Sequence, residues 1–173
     1  MDARNTASVS ALPETPQAFV DAMAAAAMGV SIVTTNGAAG LLGLTVSAWS
    51  SVSVEPPLLL ICVNRKNQIA RHITENDHFI VNVLAENHAE TAQAFAGKPT
   101  LGAPYAFADE HWMVRDEGAV LIGASVGFVC KVDSWHDAGT HRIFMGRVQA
   151  SSIGTALPLL YHNRSFGRFE KLV

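Results

Sequence analysis

The stretch from Gly43 to Asn64, GLTVSAWSSVSVEPPLLLICVN, constrains the fold of this chain more than any other. From Leu42 to Ala48 the even positions are apolar, and the odd positions carry glycine or a hydroxyl. A period of two predicts an extended strand with one face in a core. The opposite face is small and polar, so a flat ligand could lie against it.

The second half of this stretch predicts a buried strand followed by a cationic turn. Glu55-Pro56-Pro57 interrupts the first strand, because neither proline can donate a backbone hydrogen bond. Leu58 to Val63 is apolar throughout, which is typical of a strand buried on both faces. Asn64-Arg65-Lys66-Asn67 then leads into a short helix. These elements would suit a phosphorylated planar cofactor, and an ordinary β-barrel with a serine-rich loop explains them equally well.

Length and composition predict one globular domain that hides apolar surface in an oligomer. We expect a flexible tail over residues 1–12 and a single domain over residues 13–173. Hydrophobic residues make up 49% of the chain and charged residues only 16%, which favours a homodimer. The net charge of −3 offers no general attraction for nucleic acid or for an anionic membrane.

The two cysteines and the N-terminal residues favour a cytoplasmic location. Cys62 and Cys130 both lie in apolar, strand-like runs and are predicted to be buried free thiols, as in a reducing compartment. The sequence shows no Cys-x-x-Cys motif, no signal-peptide pattern and no apolar run of the roughly 20 residues that span a bilayer.

Periodicity and turn signals together predict many strands and few helices. A helix should begin at Thr15-Pro16 and end at Gly29, and Asn36-Gly37 should turn a hairpin. Asn87 and Glu90 resemble a capping box that opens a helix ending at Phe95. Further predictions are a helix at 67–76, strands at 30–35, 79–84, 142–151 and 157–161, one or two strands within 120–135, a turn at 137–139 and an irregular segment at 97–117. This order favours a mainly β fold, a β-barrel with peripheral helices.

Three familiar site motifs are absent or fall in the wrong context. No Gly-x-Gly-x-x-Gly opens a helix, which argues against a Rossmann domain. Gly123-Ala-Ser125-Val-Gly127 matches a hydrolase motif, but strand-like residues follow Ser125 where a nucleophile would need a helix. The seven histidines are scattered without ligand spacing, so we predict no metal site.

Several segments resemble the flavin reductase family. They are Thr45-Val46-Ser47, Ser50-Ser51-Val52-Ser53, Glu55-Pro56-Pro57, Cys62-Val63-Asn64, GTHRIFMGRV from Gly139 to Val148, and PLLYHNRSFGRF from Pro158 to Phe169. The similarity runs from about Phe19 to the C-terminus. Thr140 stands where the family's Gly-Asp-His motif has aspartate, and Lys66 and Asn67 occupy positions where small hydroxyl residues are common.

The resemblance implies an FMN-binding split β-barrel, a homodimer, and an NAD(P)H-dependent flavin reductase. The hydride donor would be NADH or NADPH, and the reduced FMN or FAD would pass to a partner flavin-dependent monooxygenase. His141 would help to seat the nicotinamide, and Phe166 would stack near it. The other residues implied to bind the cofactor are Thr45, Val46, Ser47, Ser50, Ser51, Val52, Cys62, Val63, Asn64, Arg65 and Lys66. A flavin- or haem-binding carrier or sensor on the same barrel, without turnover, remains an alternative, as does a hydrolase centred on Ser125.

Overall fold

A computed structural model describes residues 15–108 and 110–172, so the predicted tail at 1–12 lies outside the described residues. The helices are α1 (Pro16–Ala25), α2 (Gln68–Asn76) and α3 (Ala89–Phe95). The strands are β1 (Met28–Gly29), β2 (Ser31–Thr35), β3 (Leu42–Val46), β4 (Trp49–Ser53), β5 (Leu58–Asn64), β6 (His78–Val83), β7 (Trp112–Arg115), β8 (Gly118–Leu121), β9 (Val126–Ala138), β10 (His141–Ile153), β11 (Leu159–His162) and β12 (Ser165–Arg168). The fold is mainly β with peripheral helices, as predicted.

The largest sheet has seven antiparallel strands in the order β3-β2-β6-β9-β10-β5-β4. Its two edge strands, β3 and β4, follow each other in the chain with only Ser47 and Ala48 between them. Because so short a link must join opposite edges, the sheet curls until the edges meet at one corner. Among the described strands, β3 and β4 do not pair with each other, which leaves the barrel split.

Two apolar clusters lie on opposite sides of this sheet. The barrel interior is built around Ile61, Phe79 and Phe144, which are fully buried. The second cluster, around Ile32, Phe95 and Trp112, packs beneath α3 and the β7–β8 hairpin. Successive residues of β2 therefore point into different clusters, as Ile32 and Val33 do, which explains why all five residues of this strand are buried.

Most predicted helix and strand boundaries agree with the structure, and the differences have physical causes. Thr15 caps α1 by accepting a hydrogen bond from the Ala18 amide, but α1 ends at Ala25 and Gly29 lies in β1. The prediction for β5 was partly wrong: Leu59, Ile61 and Val63 are buried, whereas the alternate residues are only half-buried.

Two other sequence predictions were wrong near α3. The capping box does not form, because α3 begins after His88, and no side chain caps it. The segment predicted to be irregular, 97–117, contains β7, which forms a hairpin with β8 just beyond it. Buried Asn82 holds this hairpin to the barrel: it donates to the Ala119 carbonyl at 3.1 Å and accepts from the Leu121 amide at 2.8 Å. No helix in the described part of the chain is long and apolar enough to cross a membrane.

Candidate functional site

The corner where the two sheet edges meet presents unpaired backbone to solvent. In the described part of the chain, β3 pairs only with β2, so its outer edge keeps free amides and carbonyls. Ser47 and Ala48 are exposed, and the Ala48 carbonyl accepts a hydrogen bond from the Cys62 amide at 2.9 Å. This bond joins the end of β3 directly to the middle of β5.

A cavity of about 680 Å³ opens beside this edge, between β3, α3 and the β11–β12 hairpin. It falls within the range of about 300–1,000 Å³ that is common for small-molecule sites. Its walls include three residues that were predicted to bind the flavin, Thr45, Val46 and Ser47, and Phe166, which was predicted to stack near the nicotinamide. The remaining lining residues are Val30, Ala92, Gln93, Ala96, Lys98, Tyr161, Arg164 and Ser165.

Helix α3 covers much of the polar face of β3 that we expected to be open. The Thr45 hydroxyl donates to the Ala92 carbonyl of α3 at 2.7 Å. A methyl group on Gly43 would lie 2.7 Å from Cε1 of Phe95, so glycine is required for the helix to approach this closely. A ligand in the cavity can therefore reach β3 only near its end, at Thr45 to Ser47.

The far wall of the cavity is an aromatic pair on the C-terminal hairpin. The rings of Tyr161 and Phe166 face each other across β11 and β12, with centroids 5.3 Å apart. Asn163 and Arg164 form the turn between these strands, both with positive φ, as a tight two-residue hairpin turn requires. Arg164 also pairs with Asp21 of α1 at 2.8 Å, which fixes the hairpin against that helix.

The remaining predicted residues form a second group, along β4 and β5 and outside the cavity. Ser50, Ser51 and Val52 are exposed on the edge strand β4. Cys62 is half-buried, whereas the side chain of Val63 lies in the barrel core. Only the backbone of Val63 is therefore available to a surface ligand.

The cationic turn after β5 is held in place by β10. The Asn64 side chain accepts a hydrogen bond from the Lys66 amide at 3.0 Å, and the Arg65 amide donates to the Thr140 carbonyl at 3.1 Å. His141 lies opposite Asn64 in the β5–β10 register, and its Nδ1 is 2.9 Å from the Thr140 hydroxyl. The structure thus brings His141 to the turn, not to the cavity lined by Phe166.

A charged network that the sequence analysis missed supports this turn. Asp137 contacts Arg65 at 3.3 Å and Arg142 at 2.8 Å, and the Arg142 guanidinium lies 3.7 Å from the centre of the Trp135 ring. The hydrogen bond from Arg142 holds the pKa of Asp137 below its ordinary value. The sequence predicts a turn at 137–139, but β9 continues to Ala138 and the turn is formed by Gly139 and Thr140, so Asp137 and Arg142 face each other across β9 and β10.

Two alternative sites find no support in the geometry. Ser125 is followed directly by β9, and its hydroxyl donates to the Ala156 carbonyl at 3.0 Å, so it does not sit at a strand-to-helix elbow. Cys62 and Cys130 are free, and burial raises the pKa of Cys130 to about 12. Within residues 15–108 and 110–172, no three histidine, cysteine or acidic side chains converge as metal ligands would.

Comparison with known proteins places these features in a family. The model of the flavin reductase like domain matches residues 23–170. An FMN reductase (NADH), RutF, from Bradyrhizobium diazoefficiens is 38% identical over 153 residues, which cover 87% of this chain and 84% of that protein.

Solved structures agree in fold over nearly the whole chain. The NADH:FAD oxidoreductase SgcE6 of Streptomyces globisporus, in complex with NAD and FAD fragments, gives a TM-score of 0.82 at 25% identity, covering 93% of this chain and 96% of that one. BorF, the flavin reductase component of a bacterial two-component tryptophan halogenase, gives a TM-score of 0.81 at 27% identity, covering 91% of this chain and 100% of that one. The chain is therefore an enzyme of the flavin reductase family.

Proposed function

We propose that this flavin reductase uses NADH to reduce FMN, which it binds as a substrate at the barrel corner and releases to a separate oxygenase. RutF relatives are named as FMN reductases (NADH), which supports this pair of substrates over FAD and NADPH. BorF is a component of a two-component halogenase, which supports delivery of reduced flavin to a partner flavin-dependent monooxygenase.

The observation that carries the proposal is that a backbone surface, linked by hydrogen bonds, leads from the edge of the cavity at Ser47 to the cationic turn. It starts at the free edge of β3 near Ser47, crosses to β5 through the hydrogen bond between Ala48 and Cys62, and reaches Lys66 four residues later. The strand part of this path, from Cys62 to Asn64, is on the order of 7 Å long at about 3.3 Å per residue, and the turn continues from it. The flavin ring would lie in the cavity, and the phosphate would meet the turn.

The residues along this surface fit a flavin. Amides at the free edge of β3 can donate to the ring, and the exposed hydroxyls of Ser50 and Ser51 can bind the ribityl chain. Arg65 and Lys66, at the entry to α2, supply positive charge for the phosphate. The side chain of Asn67 already caps α2 by accepting from the Ile69 amide, so we assign it no phosphate contact.

The reaction needs orientation more than acid–base chemistry. Hydride passes from C4 of the dihydronicotinamide to N5 of the flavin, so the protein must stack the two rings and exclude water. Phe166, with Tyr161 behind it, provides an aromatic surface for this stack on the side of the cavity opposite β3. The predicted contact between His141 and the nicotinamide would require the nicotinamide to reach the cationic turn, which lies outside this cavity.

We propose that the active form is a homodimer. None of the residues of α1 is buried, and its Phe19 is 67% exposed beside half-exposed Val20 and Met23. So much apolar surface on one helix is typical of an interface. Light scattering during gel filtration tests this, since a mass of about 18 kDa (one 18.4 kDa chain) would contradict it.

The decisive experiment is anaerobic NADH oxidation by the purified protein, with FMN titrated from none to excess. Turnover that rises with FMN and saturates is expected of a reductase that treats flavin as a substrate. A protein that is reduced once and then turns over no added flavin would be a carrier or sensor. The same titration with FAD and with NADPH determines the substrate preference.

A further inference from the structure

The cavity proposed for the flavin ring is lined by two cations, Lys98 and Arg164, and among the described residues only Arg164 has an acidic partner. Arg164 lies 2.8 Å from the Asp21 carboxylate. Lys98 takes part in none of the ion pairs found among the described residues, and the other lining side chains are uncharged. Within residues 15–108 and 110–172, the lining therefore carries one positive charge without an acidic partner, at Lys98.

The end of α3 fixes where Lys98 stands. The Lys98 amide donates to the Gln93 carbonyl at 2.9 Å, and the Gly97 amide donates to the Ala94 carbonyl at 3.2 Å. Together they form a Schellman motif, with Gly97 at the left-handed position (φ 76°). Because its amide closes this motif, Lys98 has a defined backbone position, and both Lys98 and Gln93 line the cavity.

We propose that Lys98 stabilises the negative charge that the flavin acquires when it is reduced. This inference rests on the proposed function. When hydride moves from the nicotinamide to flavin N5, NADH becomes NAD⁺, and the added electron pair leaves a negative charge shared by N1 and the C2 carbonyl. A proton from solvent can neutralise that charge at N1. A nearby ammonium favours the anion over both the oxidised and the protonated forms.

The test compares the affinities of oxidised and reduced FMN, measured anaerobically by fluorescence titration, in Lys98→Gln and Lys98→Arg. In Lys98→Gln we expect reduced FMN to bind about tenfold more weakly, with oxidised FMN within about twofold of wild type. Such a tenfold difference lowers the two-electron potential of bound flavin by about 30 mV. Lys98→Arg should retain most of the preference for reduced FMN, because it keeps the charge.

A matched control removes a lysine elsewhere on the barrel. Lys131 is exposed on β9 opposite His78, whereas the cavity lies near the Val83 end of β6, on the order of 17 Å away. Lys131→Gln should therefore leave both affinities unchanged. If it reproduces the effect of Lys98→Gln, the cause is net charge and the proposal is wrong.

Riboflavin, which has no phosphate, separates a ring contact from a phosphate contact. If Lys98 acts on the ring, Lys98→Gln should also bind reduced riboflavin more weakly than wild type does, with little change for oxidised riboflavin. A loss that is equal for oxidised and reduced FMN, or that disappears with riboflavin, would overturn the inference while leaving the reductase function in place. A wild-type protein that binds no flavin in either state would overturn both.

Discussion

Replacing Gly43 with alanine tests whether α3 covers the polar face of β3. A methyl group there would lie 2.7 Å from Cε1 and 2.9 Å from Cδ1 of Phe95. The Phe95 ring cannot easily retreat, because it is 1% exposed and packs on Phe107 and Trp112 with centroids 4.9 and 5.1 Å away. Overpacking of this kind costs roughly 1–3 kcal/mol.

Alanine also restricts the unfolded chain, which in a strand raises the free energy of unfolding by about 0.5–1 kcal/mol and offsets part of this cost. We therefore expect Gly43→Ala to lower the free energy of unfolding by about 1–2 kcal/mol. With an m-value of about 2 kcal/mol/M in urea, the midpoint would fall by roughly 0.5–1 M at unchanged m. Equilibrium urea denaturation followed by circular dichroism measures this shift.

Gly29→Ala is the matched control, because Gly29 also lies in a strand, has ordinary φ, and has no atom within 4 Å of an added methyl group. It should be neutral or slightly stabilising. If Gly43→Ala is equally harmless, Phe95 does not sit over β3, and the polar face is open as the sequence alone suggested. In that case the wall that α3 provides for the cavity is misplaced.

Three other predictions concern single side chains. The buried hydroxyl of Ser31 has no hydrogen-bond partner among the described residues, so Ser31→Ala should raise the free energy of unfolding by about 1 kcal/mol. Urea denaturation measures this, and a lower stability of the variant would show that the hydroxyl does have a partner. Burial and the charge of His111 lower the pKa of His88 in the folded protein. Near the ordinary histidine pKa of about 6.5, the unfolded chain therefore binds more protons than the folded chain. Stability should therefore fall as pH drops from about 7 towards the folded pKa, and His88→Gln should flatten that slope in denaturation curves. Ser51→Trp should abolish FMN-dependent NADH oxidation with an unchanged circular dichroism spectrum, since Ser51 is exposed; wild-type rates would contradict its place beside the flavin.

Local patterns in the sequence predicted elements that depend on neighbouring residues. The cap at Thr15 and a strand over the alternating residues of β3 are both confirmed, because each depends on residues within a few positions. The β7–β8 hairpin was missed because long-range contacts hold it: Thr34 bonds to Ala119, 85 positions away. The capping box failed for a local reason instead: His88 accepts a hydrogen bond from the Ala85 amide, and α3 begins only after it.

In the proposed site, too, the sequence predicted the locally determined features and not those that depend on long-range contacts. The sequence identified the strand end at Thr45 to Ser47 and the aromatic Phe166, which the fold brings together at one cavity. It did not reveal α3 as the cover of β3, because the contact between Gly43 and Phe95 depends on how the chain returns after β6. Lys98 was not predicted as a site residue either, since no local sequence pattern indicates that a lysine after Gly97 lines a cavity.

The use of the Thr45 hydroxyl has a consequence for how a flavin can be recognised. Because this hydroxyl is bonded to α3, the groups that β3 can offer to a flavin ring are mainly amides of its free edge. Backbone donors keep their position when side chains change, so Thr45→Val should weaken flavin binding chiefly by loosening α3. The carbonyl of Ala92 also accepts from the Ala96 amide, so the lost bond should cost only about 1 kcal/mol of stability. A much larger loss of FMN affinity at unchanged stability would show instead that the hydroxyl itself contacts the flavin.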